Sequence, residues 1–226
     1  MAELFAEFNI LGAFWVTVQL TFWSAIFALV IGTVVAVMRL SPVAILRGIG
    51  TSYVNVFRNT PLTLIMVFVS LGLWQTLGVE LANSKSGHFF DINNFRLAII
   101  ALSFYHASFV CESIRGGVNT VPAGQAEAAR SIGLTFTQNI RYVVLPQAFR
   151  GAITPLGNTL IALVKNTTVA SVIGVAEASY LMADMIEKRP DVLFTMFLLF
   201  AIGFVILTLP VGLLISNLSA RLAVKR

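Results

Sequence analysis

The sequence predicts an all-α integral membrane protein with five transmembrane helices and short helices in the longest loop. Three observations carry that prediction. The chain has 226 residues, 58% of them hydrophobic and 11% charged, with a mean hydropathy of +0.88. No soluble domain of this size could bury so much apolar surface. Second, the charge-poor runs are long: Phe8–Met38, Asn59–Val79, Leu97–Cys111, Gly151–Ala176 with Lys165 alone inside it, and Val192–Ala220. A helix needs roughly 20 apolar residues to cross a bilayer core, and runs without period-two alternation exclude a barrel. Third, basic residues are divided unevenly between alternate loops, which sets an orientation.

The elements follow in order. Residues 1–10 form an outer N-terminal segment with Glu3 and Glu7. The first span, about 11–38, is too long for a signal-peptide core and lacks a basic region before it, so it reads as a retained helix. Ser41–Phe57 is mildly apolar but holds Arg47. It reads as an interfacial or tilted helix entering at Ser41-Pro42; if it crossed, the later loops would invert. The second span, about 59–79, opens at Arg58-Asn59-Thr60-Pro61. Pro61 suits a first turn, and Asn59 or Thr60 suits its cap. Free N–H groups at such a helix start can also hold an anionic group. The third span, about 95–114, has Glu112 and Arg115 at its inner end, three apart and able to pair. The fourth and fifth spans are about 151–176 and 192–218, and 221–226 is a tail.

With the N-terminus outside, ten basic residues fall inside: Arg39, Arg47, Arg58, Arg115, Arg130, Arg141, Arg150, Arg221, Lys225 and Arg226. Four fall outside: Lys85, Arg96, Lys188 and Arg189. The bias predicts N-out and C-in. It places the 115–150 loop in the cytoplasm and counts Glu177 among the outer acids. Divided between loops in this way, the net charge of +5 speaks to topology and not to a nucleic-acid partner.

The 115–150 loop reads as two short helices. Pro122 suits the first turn of one, and Gly133 suits the left-handed position that closes it. Thr135 and Gln138 have capping-box spacing for the second, and Pro146 is expected to limit it.

Lys165 lies inside the fourth span, where a charge costs about 2.5–3.5 kcal/mol. It calls for a partner, a cavity or a subunit interface. Asn166, Thr167 and Thr168 add hydrogen-bonding groups, but at 3.6 residues per turn the four cannot all face one ligand on a regular helix. Either this is a transport path, or the threonines bond back to their own helix and Lys165 packs. His106 and Cys111, five apart, make a poor metal pair, and Cys111 reads as packing. No Gly-rich phosphate loop with Lys-Ser/Thr is present. Ser103, His106 and Ser108 lack the glycine context of a hydrolase nucleophile.

Glu127-Ala128-Ala129-Arg130, Gly133 and Leu145-Pro146 resemble the EAA loop of ABC importer permeases. Arg58-Asn59-Thr60-Pro61-Leu62, Glu112-Ser113-Ile114-Arg115-Gly116-Gly117, Leu156-Gly157-Asn158 and Leu163-Val164-Lys165-Asn166-Thr167-Thr168 extend the resemblance to the polar amino-acid branch. The likeness is strongest to the glutamate-uptake permeases of corynebacteria and related actinobacteria. It implies the type I importer permease fold, and a bacterial plasma-membrane subunit that is not itself an enzyme. It implies ATPase coupling through Glu127, Ala128, Ala129, Arg130, Gly133, Leu145 and Pro146. The implied partners are a cytoplasmic ABC ATPase dimer carrying ATP and Mg, a second permease or a copy of this chain, and an extracytoplasmic amino-acid-binding protein. No cofactor is implied on this chain. The expected path residues are Asn59, Thr60, Thr159, Lys165, Asn166, Thr167 and Thr168. Many members of the branch have acids where this chain has Thr159 and Asn166. Their absence beside Lys165 favours an anionic substrate, glutamate or aspartate, over a basic one, with glutamine still open. An ion channel or secondary transporter is the rival class.

Overall fold

The computed structural model describes Glu7–Leu222; Glu3, Lys225 and Arg226 lie outside the described residues. The described residues are helical with short connections. α1 (Ile10–Leu40) begins at Asn9, whose side chain accepts from Gly12 N at 3.0 Å. Its buried stripe is Ala13, Thr17, Leu20, Ser24, Ala28, Gly32 and Val35. Steps of three and four put mostly small residues on one face, which lets another helix approach closely. That helix is α4 (Phe89–Val118), against which α1 packs along most of its length.

Between them, α2 (Ala44–Asn59) is amphipathic. Gly50 and Val54 are buried, while Ile45, Ile49 and Val56 are exposed. Arg47 folds back and donates to Ser41 O and Pro42 O at 2.9 and 2.7 Å. The chain then bends by 104° into α3 (Leu62–Phe68), which continues as a π-helix over Val69–Thr76. Among the described residues, four helical runs are long and apolar enough to cross a membrane, and the bent α2–α3 pair makes a fifth if it counts as one span.

The expected start of the second span is corrected here. Asn59 is the last residue of α2 and caps nothing. Thr60 Oγ1 donates to Val56 O at 2.8 Å, and Pro61 occupies the cap position with extended ψ, not the first turn. The amphipathic 44–59 segment claims these residues because proline forces the residue before it out of the helical region.

After α4 come α5 (Ala123–Ser131) and α6 (Phe136–Asn139). A π-turn over Ile140–Val144 leads straight into α7 (Leu145–Asn166). Pro146 therefore does not end the second short helix. It stands in the first turn of α7, where Leu145 N already bonds five residues back to Ile140 O. The wide turn accommodates the ring and the missing donor. The helical run from Phe136 reaches Ile173, its end tightened to 3-10 geometry over Thr167–Ile173. α8 (Ala178–Lys188) packs on α1 and on α9 (Leu193–Leu222).

Three apolar clusters hold these helices. One joins Leu20, Met66, Leu97, Leu102 and Leu163. A second joins Phe8, Ile10, Met185, Met196 and Phe200, with Phe14 stacked on Phe200 at 5.6 Å. The third joins Ala28, Ala36, Val54, Val110 and Ile114.

Candidate functional site

Two regions gather the residues singled out in the sequence. The first is the α5–α6 segment. α5 ends in a Schellman motif: Gly133, at φ 86°, donates to Arg130 O, and Leu134 N donates to Ala129 O. Only glycine adopts that φ without strain. Pro122 stands at the cap of α5, one residue before the expected first turn. Both halves of the capping box are present: Gln138 N donates to Thr135 Oγ1, and Thr135 N donates to Gln138 Oε1. Asn139 then clamps the two short helices, its Nδ2 donating to Ala126 O at 3.1 Å. The sequence reasoning missed this clamp, which spans thirteen residues without a local pattern.

Ala129 is buried inward, whereas Glu127, Ala128, Arg130, Gly133 and Pro146 are exposed and Leu145 is half-buried. The segment is thus internally braced, and its outer surface mixes the charged Glu127 and Arg130 with the exposed apolar Ile132 and Phe136. Nearby, Glu112 is paired chiefly with Arg39 of α1, and with Arg115 at 3.4 Å as its spacing predicts. The Arg58 guanidinium lies 5.9 Å over the Phe109 ring. Three cations and one acid therefore tie the ends of α1, α2 and α4 together.

The second region lies between α1, α4 and α7. Thr159 and Asn166, two turns apart on α7, both face α4. Thr159 Oγ1 is 3.4 Å from Ser113 Oγ, and Asn166 Nδ2 is 3.2 Å from His106 Nε2. Thr159 borders a cavity of about 230 Å³ whose wall also includes Ala25, Ala28, His106, Leu163 and Ile215.

Lys165 is separated from this pair. One residue from Asn166, it points elsewhere and is exposed, with no ion pair among the described residues. Thr167 and Thr168 bond back to Val164 O and Lys165 O at 2.7 and 2.8 Å. Asn59 is exposed at the end of α2, and Thr60 lines a separate apolar groove of about 850 Å³ between α2, α3 and α4. The expected path residues therefore fall into separate places: Thr159 and Asn166 both contact α4, but only Thr159 is on the cavity wall.

Glu177 stands at a further junction, between α8 and α1. Counted as an outer acid, it is fully buried and caps α8, its two oxygens accepting from Ser179 N and Tyr180 N at 2.9 Å each. Ala178 N donates to Thr17 Oγ1 of α1 at 3.2 Å. Burial pushes the Glu177 carboxyl up to about 7, against the two N–H groups that favour its charge.

A family model described as binding-protein-dependent transport system inner membrane component matches residues 28–224. The chain belongs to this family. It is a multi-pass membrane permease subunit, and the chemistry that drives transport is not its own. The glutamate transport system permease protein GluC of Corynebacterium glutamicum is 56% identical over 228 residues, covering 100% of both chains. The probable glutamine ABC transporter permease protein GlnM of Bacillus subtilis is 35% identical over 193 residues, covering 85% of this chain and 83% of the relative. Among solved structures, a chain of an amino acid ABC transporter crystallised with histidines superposes with a TM-score of 0.78 at 29% identity. That match covers 94% of this permease and 93% of the solved chain.

Proposed function

We propose that this permease serves an ATP-driven importer of a polar amino acid, L-glutamate or aspartate. Its α5–α6 segment receives the stroke of a cytoplasmic ABC ATPase dimer, which carries ATP and Mg. The end-to-end 56% identity to a glutamate transport permease carries the reading. The missing acids at Thr159 and Asn166 support it, since neither the cavity wall at Thr159 nor the contact of Asn166 with His106 holds a fixed negative charge to repel an anion. Glutamine is the second reading, favoured by the 35% identical glutamine permease.

A second permease, the same chain or a homologue, completes the path. The exposed Lys165 is available to that path as a fixed cation. An extracytoplasmic binding protein delivers the substrate to an outer face, with the N-terminus outside and the C-terminus in the cytoplasm. Within the segment, Glu127, Ala128, Arg130 and Gly133 form the docking surface, Ala129 seats it, and Leu145-Pro146 passes its movement into α7.

The test is uptake of labelled glutamate by the reconstituted complex, with aspartate, glutamine and arginine as competitors. The expected order is acidic first, amide second and basic last. Glu127→Lys and Gly133→Pro should abolish uptake while leaving the amount of inserted permease normal. ATP-coupled uptake at the unmodified rate in both variants would remove the segment from the coupling role.

A further inference from the structure

Arg58 and Lys165 are both exposed, and neither makes an ion pair among the described residues. α4 gives their depth. The Arg58 guanidinium lies 5.9 Å over the Phe109 ring, and Asn166, next to Lys165, meets His106. The His106 and Phe109 rings are 6.1 Å apart. Phe109 stands nine residues, about 14 Å, before the end of α4 at Val118. A bilayer core about 30 Å thick, centred on this 30-residue helix, contains both positions. A cation facing lipid at that depth costs about 2.5–3.5 kcal/mol, so each calls for water or an anion. The two also share a flank. On α7, Thr159 and Asn166 face α4, while Leu156 and Leu163 border the cavity shared with Ala28 of α1. At 3.6 residues per turn, Asn158, Ala162 and Lys165 stand on the side of α7 away from α1, and all three are exposed. On α4, His106 and Ser113 face α7, and Ala107 lies against Gly32 of α1. Tyr105, Phe109 and Glu112 stand on the side away from α1, and none of them is fully buried. Arg58 lies over that stripe, so both cations face the same open side of the α4–α7 pair.

We propose that Arg58 is a specificity-determining residue of the substrate path: it and Lys165 face one water-filled passage and together hold the two carboxylates of an acidic amino acid as it crosses. The inference rests on the reading of the substrate as an acidic amino acid. Phe109 takes the face of the guanidinium and leaves its N–H edge for a carboxylate. Glutamate or aspartate meets both cations at once. Glutamine has one carboxylate and leaves the second cation unpaired. The pair, and not either contact alone, therefore separates an acid from its amide within the membrane.

The first measurement is the glutamate-to-glutamine uptake ratio of the reconstituted complex with one unchanged binding protein, normalised to inserted permease. Arg58→Gln should lower the ratio about tenfold, the scale of one hydrogen bond to a charged group, and Lys165→Gln should do the same. The double variant should fall little further, because either single loss already breaks the pair. Arg58→Lys keeps the charge and should retain most of the ratio. The second measurement needs no substrate. Arg58→Cys in the inserted permease should react faster with an impermeant anionic thiol reagent than with a cationic one, and adding Lys165→Gln should abolish that preference. The native Cys111 is buried and stays silent. An unchanged ratio in Arg58→Gln, or no reaction of Arg58→Cys with either reagent, overturns the proposal and makes Arg58 a packing partner of Phe109. If Arg58→Gln does not insert, Arg58→Lys and Arg58→Cys decide the matter. If the unmodified complex imports no acidic amino acid, the proposed function fails instead, and that control tells the two failures apart.

Discussion

α4 and α9 are both 30 residues long, yet they solve opposite problems. The most apolar stretch of α4 has a mean hydropathy of 1.6 and is 67% buried, whereas that of the run containing α9 reaches 2.8 and is 11% buried. The less apolar helix is the interior one. α4 buries Asn93, Ser103, His106, Ser108 and Ser113, while α9 exposes Phe194, Phe197, Leu209 and Leu214. In water this would be inverted. Lipid solvates leucine as well as a protein interior does, so apolar side chains gain little by facing inward, whereas polar groups need protein partners. The pair shows that burial here follows polarity and small size more than hydrophobicity.

The sharpest way to break this comparison is with one methyl group on each helix. A Cβ at Gly117 of α4 would run into Ala148 O of α7, and a backbone atom cannot step aside. Gly117→Ala should cost about 3 kcal/mol or more, seen as loss of most inserted protein and a lower melting temperature after solubilisation. At Gly212 of α9 the same methyl finds Ile161 Cδ1 at 3.8 Å, ordinary contact. Gly212→Ala should stay within about 0.5 kcal/mol of the parent. Equal damage at both sites would mean that the outer face of α9 is as tightly covered as α4.

A second test concerns the junction where α8 holds α9 to α1. The Glu177 carboxyl ionises near 7 in the folded chain, against about 4.3 for an unperturbed glutamate. Between those values the folded form holds more protons, so stability rises as pH falls through 7 and the gain is complete below the unfolded value. Between pH 8 and pH 5 the parent should gain about 2 kcal/mol relative to Glu177→Gln, read from paired melting curves. A difference that stays flat with pH would mean that the carboxyl is charged throughout and that the two N–H groups outweigh burial.

The smallest effect is expected at the inner end of α4. Arg39→Met removes the main partner of Glu112 and leaves Arg115 at 3.4 Å. Because Glu112 is 31% exposed, water and Arg115 offset part of the loss, and about 1 kcal/mol is expected in the same melting assay. A loss as large as that of Gly117→Ala would make this ion cluster, and not helix packing, the main fastening of α4.

What was legible in the sequence was local. The Gly133 cap and the Thr135–Gln138 box were legible because their partners lie within five residues. The apolar runs were legible because bilayer thickness imposes a length. Asn59, Thr60 and Pro146 were misplaced by the same local logic. A cap signal does not say which of two adjoining helices claims it, and a π-turn can carry a helix through a proline. The sequence by itself determined that this chain spans a membrane, which loop is braced, and which family it belongs to. Only the tertiary structure decided that Asn166 meets His106 sixty residues away, that Arg39 meets Glu112, that Lys165 turns from its neighbours, and that Glu177 is buried as the cap of α8. Those pairings depend on how helices cross and rotate, and no spacing along a single helix encodes that.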